Sequence, residues 1–436
     1  MAKGPEPPTR NFTKAQQVFY GVTSAICTTL FLTCLLICAI FHLVFQKLKS
    51  ISDEDERRPA TRDTQEQKTD AELKLLPDLN YYFHIYGLRV DTYEIITDDG
   101  FVLTVQRIVD PVDTLQDRQR RKPILCLHGL LQSSGSFCSS GKQSLAYFLH
   151  DEGYDVWLGN NRCGFEPKHT FLSPNDYRMW DWDITDMAQH DLPAMINHVL
   201  STTDSSAKSL SLIGHSQGTT LGFVALDSDK FGLSTKINCF VALSPAVFGG
   251  ELLDTKLFIR FIAQMSTKSF FFGINSFLPI MMNMRKVLVK TRLFGTLSYM
   301  MFSYLFDWND SLWDQDIEAR HFLFSPVYVS VKLMSWWLNN KSGFKQSKSI
   351  LARDKQWFNE YTPPIFLVVP RKDLLVDGEA LLHHMKQYEK DTVKYSYIHL
   401  DSYSHLDVLW SRSVIQDVGI PVLAFLKALE ADDRNG

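Results

Sequence analysis

The pentapeptide Gly214-His215-Ser216-Gln217-Gly218 lies between an apolar strand-like stretch, SLSLI, and a helix-like run over 217–226. A serine on so tight a strand-to-helix turn needs small neighbours, because side chains at the flanking positions would crowd it. The start of the helix then turns amide N–H groups, that of Gln217 first, toward any negative charge that develops nearby. Such a turn requires a sheet behind it, and the rest of the chain supplies one. Apolar, β-branched stretches at 101–109, 123–127, 154–158, 210–213, 237–243, 365–369 and 395–400 read as strands. Helix-like stretches at 144–152, 184–200 and 217–226 separate several of them. This alternation predicts an α/β fold with a mostly parallel sheet covered by helices. No internal repeat interrupts it.

A serine hydroxyl is a weak nucleophile unaided; it needs a histidine to take its proton and an acid to orient that histidine. For serines on such turns the chain order is serine, acid, histidine. After Ser216 the strand-like PPIFLVV runs into Pro370-Arg371-Lys372-Asp373, which makes Asp373 the expected acid and Asp377 the alternative. His405 follows the strand-like YSYIHL and is the expected general base, whereas His383 and His384 fall in a helix-like stretch. A second oxyanion donor comes from the loop after an earlier strand. Here PILCL leads into His128-Gly129-Leu130, so the expected donors are the amides of Leu130 and Gln217.

Two segments depart from the alternation. From Val18 to Phe45 the chain is almost uncharged, about 28 residues against the ~20 that cross a bilayer. A cleaved signal peptide has a shorter apolar centre of ~7–15 residues and a small-residue cleavage site, so this run reads as a retained transmembrane helix. The polar stretch after it, SISDEDERRPATRDTQEQKT, gives it nothing to pack against and reads as a tether. The second segment, 247–351, is rich in Phe, Met, Leu and Trp without a strand–helix rhythm. It is expected to be a helical cap over a pocket. Phe271, Trp336 and Trp337 are its candidate lining residues, with Phe270, Phe272, Met281 and Met282 beside them. The expected organisation is therefore a tail at 1–17, an anchor at 18–45, a linker at 46–75, a core at 76–246 and 352–436, and the cap between.

A formal net charge of −4 gives no basic footprint for nucleic acid. Seven cysteines are present, three of them in the apolar N-terminal run, and no CxxC or Cys/His spacing suggests a disulfide or zinc framework. Cys126 and Cys239 fall in strand-like segments and read as small core residues. No cofactor or metal is expected. Lys3, Arg10 and Lys14 precede the apolar run and Lys47, Lys49, Arg57, Arg58 and Arg62 follow it, a bias toward a cytosolic main domain. The sequons at Asn309 and Asn340 would be glycosylated only on the opposite side.

In order along the chain, HGLLQSS, GYDVWLGNNR, KHTFLSP, MWDWDITDMAQHDLPA, GHSQGTT, LSPAV and YSHLD resemble the acid-lipase family of neutral-lipid hydrolases. The resemblance implies an α/β-hydrolase fold, a Ser216–Asp373–His405 triad, oxyanion donors at Leu130 and Gln217, and a helical cap. It also implies a neutral-lipid substrate, steryl ester or triacylglycerol, met at a membrane or lipid-droplet surface. The cap has no cysteine, so the cap disulfide of secreted members cannot form, and Arg162 is followed by Cys163-Gly164-Phe165 where those members have glycine and asparagine. With the apolar N-terminal run, these departures look most like membrane-anchored fungal steryl ester hydrolases and imply the endoplasmic reticulum or lipid droplet, with the plasma membrane as alternative. Two other readings remain open: a serine hydrolase of thioesters or peptides, and a non-catalytic lipid-binding protein that keeps the fold.

Overall fold

The structure is a computed structural model that describes residues 11–52, 73–339 and 344–435. Most of the expected linker, the Asn340 sequon and Lys3, Arg10, Arg57, Arg58 and Arg62 lie outside the described residues. Eight strands form one sheet: β1 (Arg89–Ile96), β2 (Val102–Val109), β3 (Pro123–Leu127), β4 (Asp155–Gly159), β5 (Leu210–His215), β6 (Ile237–Leu243), β7 (Ile365–Pro370) and β8 (Tyr395–Leu400). Their order is β1-β2-β4-β3-β5-β6-β7-β8. The first two make an antiparallel hairpin and β2 runs antiparallel to β4. Every other pairing, from β4 across to β8, is parallel.

Parallel strands are covered on both faces, so each residue needs an apolar partner above or below the sheet. In β3, Leu125 and Leu127 enter one core cluster while Ile124 and Cys126 enter the other. The same two-residue period divides β7, with Ile365, Leu367 and Val369 on one face and Phe366 and Val368 on the other. Helices Leu192–Thr202 and Gln217–Leu226 cover the first face. Helices Leu145–Asp151 and Ile420–Asn435 cover the second.

Two local expectations need revision. β1 is an additional edge strand, in which only Val90 and Ile95 are buried among charged neighbours. The stretch 184–200 is not one regular helix: it widens at Met187–Asp191 before helix Leu192–Thr202. Pro193 has no N–H to give the preceding turn, and buried Asp191 turns its carboxylate onto Arg162, with contacts of 2.9 and 2.6 Å.

Between β6 and β7 the chain leaves the sheet for a helical excursion that includes Leu257–Met265, Ser269–Phe272, Pro279–Leu288, Arg292–Phe306 and Val331–Leu338. The apolar N-terminal run forms one helix, α1 (Lys14–Ser52). Its Lys14–Phe45 part contains an 18-residue window of mean hydropathy 2.4 and is long and apolar enough to cross a membrane. α1 lies against the excursion, a packing partner that the sequence did not suggest. The Phe31 ring sits among Phe258, Phe261, Phe271 and Phe272.

Candidate active site

Ser216 opens helix Gln217–Leu226 with φ 51° and ψ −117°, a conformation that costs a residue with a side chain about 1–3 kcal/mol. The surrounding chain holds it there. Ser216 N donates to Leu243 O on β6 at 3.1 Å, and Ser216 O accepts from Thr219 N at 2.8 Å. The glycines are required by close approach: a Cβ on Gly214 would lie 2.7 Å from Gly218 C, and one on Gly218 would lie 2.3 Å from Leu127 O.

His405, in the loop after β8, brings its Nε2 to 2.8 Å from Ser216 Oγ and its Nδ1 to 2.6 Å from Asp373 Oδ2. The Asp373 and His405 side chains are 0% and 2% exposed. The second carboxylate oxygen of Asp373 accepts from Leu375 N at 2.9 Å and Val376 N at 3.2 Å, which fixes its rotamer. Asp377, the alternative acid, instead caps helix Gly378–His384 by accepting from Ala380 N at 2.9 Å. His383 is exposed, and His384 is buried against Trp357.

Leu130 follows β3 and Gln217 follows the serine, and among the described residues neither amide donates to a protein acceptor. The Leu130 loop is braced from below. Gln132 Oε1 accepts from Gly129 N at 3.1 Å and lies 3.0 Å from His215 Nδ1, while His215 Nε2 lies 3.1 Å from the His405 carbonyl oxygen. Burial, with His405 adjacent, holds the His215 pKa well below the usual histidine range, so this ring is a neutral strut. Two aromatic residues come from the excursion. Trp308 stacks on the His405 ring with centroids 5.7 Å apart and planes 6° apart. Trp337 Nε1 donates to Gln217 Oε1 at 2.9 Å.

Above these groups lies a cavity of about 170 Å³ whose walls are almost wholly apolar. Its walls include Leu130, Phe277, Met281, Met301, Trp308 and Trp337, and also Phe31, Leu32 and Leu35 of α1. Phe271 and Trp336 do not reach it. Phe271 belongs to the ring cluster around Phe31, and Trp336 packs edge-on to Trp337 and flat on Phe344. Phe272 and Met282 are buried core, and Phe270 is exposed. Sequence reasoning did not single out Gln132 and His215, although both sit inside the motifs it used. It had no signal for Trp308 or the α1 residues, whose roles arise only from tertiary contacts.

A second serine–histidine contact occurs between Ser139 Oγ and His321 Nδ1, at 2.7 Å. No carboxylate completes it: His321 Nε2 has no partner and the ring stacks on Trp410. Burial pushes the His321 pKa down to about 3, and neither residue lines the cavity. Asp98, Asp99 and His190 are close enough together to suggest a cation site, but Asp99 is engaged by buried Arg162 at 2.9 Å.

The Ser216 geometry suits acyl transfer. An imidazole poised on a hydroxyl, with its far nitrogen fixed by a buried carboxylate, can take the proton as the oxygen attacks a carbonyl. Unengaged amides beside it can receive the resulting oxyanion.

Residues 79–141 match the partial α/β-hydrolase lipase region family, and residues 122–277 match the α/β-hydrolase fold family. Sterol esterase 2 of Saccharomyces cerevisiae is 44% identical over 394 residues, which cover 82% of this chain and 73% of that protein. Gastric triacylglycerol lipase of Homo sapiens is 30% identical over 363 residues, covering 76% and 86% of the two chains. Among solved structures, potato (Solanum tuberosum) epoxide hydrolase I has a TM-score of 0.50 at 13% identity, covering 78% of this chain and 100% of that one, a likeness of fold alone. The mostly parallel sheet, the serine on its strand-to-helix turn and these relatives agree: the chain belongs to the acid-lipase family of α/β hydrolases and is a carboxylic ester hydrolase homologous to sterol esterases and lipases.

Proposed function

We propose that this enzyme hydrolyses neutral-lipid esters, steryl esters or triacylglycerols or both, at a membrane or lipid-droplet surface. In this reading Ser216 is the nucleophile, His405 the general base and then acid, and Asp373 the group that orients and charge-balances His405. The amides of Leu130 and Gln217 form the oxyanion hole, and the excursion after β6, over 247–351, is the cap. The observation that carries the reading is the apolar cavity that ends on Ser216 and His405. A soluble ester needs only the reacting groups, whereas a steryl or long acyl group drawn from a lipid phase needs apolar walls around it. The sterol esterase and gastric lipase relatives support the same substrate class. The length and hydropathy of α1 support attachment to lipid, which this reading places at the endoplasmic reticulum or droplet, with the plasma membrane as alternative.

The reaction divides into two acyl transfers. Ser216 Oγ attacks the ester carbon as its proton passes to His405 Nε2, and the carbonyl oxygen becomes an oxyanion between the two amides. Collapse of this intermediate breaks the bond to the alcohol, which leaves with the proton from His405. Water then attacks the acyl-serine by the same route, releasing fatty acid and restoring Ser216.

The test is a panel of emulsified steryl oleate and triolein, a soluble butyrate ester, an acyl thioester and a peptide, assayed on the purified full chain. Long-chain esters should dominate; faster thioester or peptide cleavage would overturn the substrate class. Ser216→Ala should reduce activity by about 10⁴–10⁶-fold and abolish fluorophosphonate labelling, while Asp373→Asn should cost about 10⁴-fold in kcat. Full labelling of the Ser216→Ala protein would move the nucleophile elsewhere.

A further inference from the structure

α1 has two faces that its uniform apolarity hides. At 3.6 residues per turn, Ser24, Thr28, Phe31, Leu35, Ala39 and His42 fall within an arc of about 80°. Of these, Thr28, Phe31, Leu35 and Ala39 are buried. Val18, Val22, Ile26, Leu30, Phe41 and Val44 point the opposite way and are exposed. The inner face is in contact with the hydrolase along most of its length. Ser24 Oγ lies 3.0 Å from where a Cβ on Gly273 would stand, a close approach that the glycine eases. Phe31 is packed among four rings, and His42 meets Tyr304 at a centroid distance of 5.5 Å.

From Ser24 to His42 the helix advances about 27 Å, nearly the ~30 Å thickness of a hydrocarbon core. Beside that stretch stand charged groups: Lys256 lies 5.9 Å from the Tyr304 ring and is paired with Asp307. That pair adjoins the His42 end, and along most of the stretch the inner face is packed on the hydrolase helices Ser269–Phe272 and Arg292–Phe306, so a bilayer cannot surround it on all sides. A helix lying in the interface, apolar face down, meets no such conflict.

We propose that α1 lies in the plane of one lipid leaflet rather than spanning a bilayer. Its outer face is immersed among acyl chains, and its inner face forms a wall of the Ser216 cavity. A neutral-lipid ester then passes from the leaflet by way of Phe31, Leu32 and Leu35 to the serine without crossing water. This rests on the neutral-lipid reading of the site, because only an apolar substrate gains from that route. The same arrangement suits a lipid droplet, whose surface is a single leaflet.

The experiment uses the full chain with different epitope tags at its two termini, in sealed microsomes and on isolated droplets. Protease should remove both tags from the same side; protection of one tag alone would overturn the proposal. In parallel, Phe31→Ala/Leu35→Ala should lose at least about ten times more activity on emulsified steryl oleate than on soluble butyrate ester. Equal losses on both substrates would return the inner face to simple packing. The two readings fail separately: an unaltered chain that hydrolyses no lipid ester refutes the substrate class, whereas tags on opposite sides of an active enzyme refute only the position of α1.

Discussion

Gly129→Ala adds a single methyl group beside the reacting serine, where there is no room for one. Its Cβ would stand 2.8 Å from Gln132 Oε1, 3.0 Å from Ser216 Cβ and 3.1 Å from His215 Nδ1. None of the three can swing aside cheaply, since Gln132 and His215 brace each other and Ser216 is fixed on its turn. Ordinary contacts are about 3.5–4.0 Å, so the loop must withdraw by roughly 0.5 Å or more. Leu130, the next residue, moves with it, and an amide at ~3 Å from an oxyanion is carried to the edge of hydrogen-bonding range. Losing one oxyanion donor costs about 10²–10³-fold in kcat, or ~2.7–4 kcal/mol. A partial withdrawal should therefore lower kcat by about 10²-fold. KM should change little, because ground-state binding rests on apolar walls that the methyl does not touch. Steady-state kinetics on a soluble butyrate ester would measure both constants. Thermal unfolding should be recorded alongside, because overpacking by itself can cost ~1–3 kcal/mol. A variant with wild-type kcat would refute the assignment of the Leu130 amide to the oxyanion hole.

Other perturbations follow from groups farther out. His150 is buried with neither ring nitrogen partnered, and burial, helped by Arg121, lowers its pKa to about 4. The unfolded chain binds this proton first, so stability is retained above pH 6.5 and lost as pH falls from 6.5 through about 4, by roughly 3 kcal/mol in the limit. His150→Leu should accordingly raise Tm more at pH 4.5 than at pH 7.5, and an equal rise at both would show that the imidazole does not titrate as described. Trp337→Phe removes the donor to Gln217 and should depress long-chain ester hydrolysis, whereas Trp336→Phe, away from the cavity, should behave as wild type. The reverse order in emulsion assays would contradict the placement of these two rings.

The strands of the parallel sheet were legible because burial on both faces demands unbroken apolar runs, as in Ile237–Leu243 and Ile365–Pro370. The order of Ser216, Asp373 and His405 was legible because Ser216 and Asp373 each follow such a strand and His405 follows the edge strand β8, and the carboxyl edge of the sheet brings them together. β1 escaped notice for the opposite reason: at the sheet edge Arg89, Asp91 and Glu94 face solvent, and the pattern no longer stands out. The position of α1 was hidden by composition, since a run apolar on every side carries no moment to say which face meets protein. Phe271 and Trp336 were drawn to the cavity by residue type alone, whereas their place was decided by which way their helices turn against neighbours.

Trp308 lies between β6 and β7, yet its ring rests flat on the imidazole of His405. In the proposed reaction that imidazole becomes a cation at each acyl transfer, and a cation within ~6 Å of an indole face is favoured by about 0.5–2 kcal/mol. The segment that roofs the cavity therefore also carries part of the electrostatic load of the reaction. If the roof lifts to admit a bulky ester, the indole leaves with it and the base loses that support. In the proposed reaction the base is therefore best supported while Trp308 stays on His405, with the roof in the place the structure gives it.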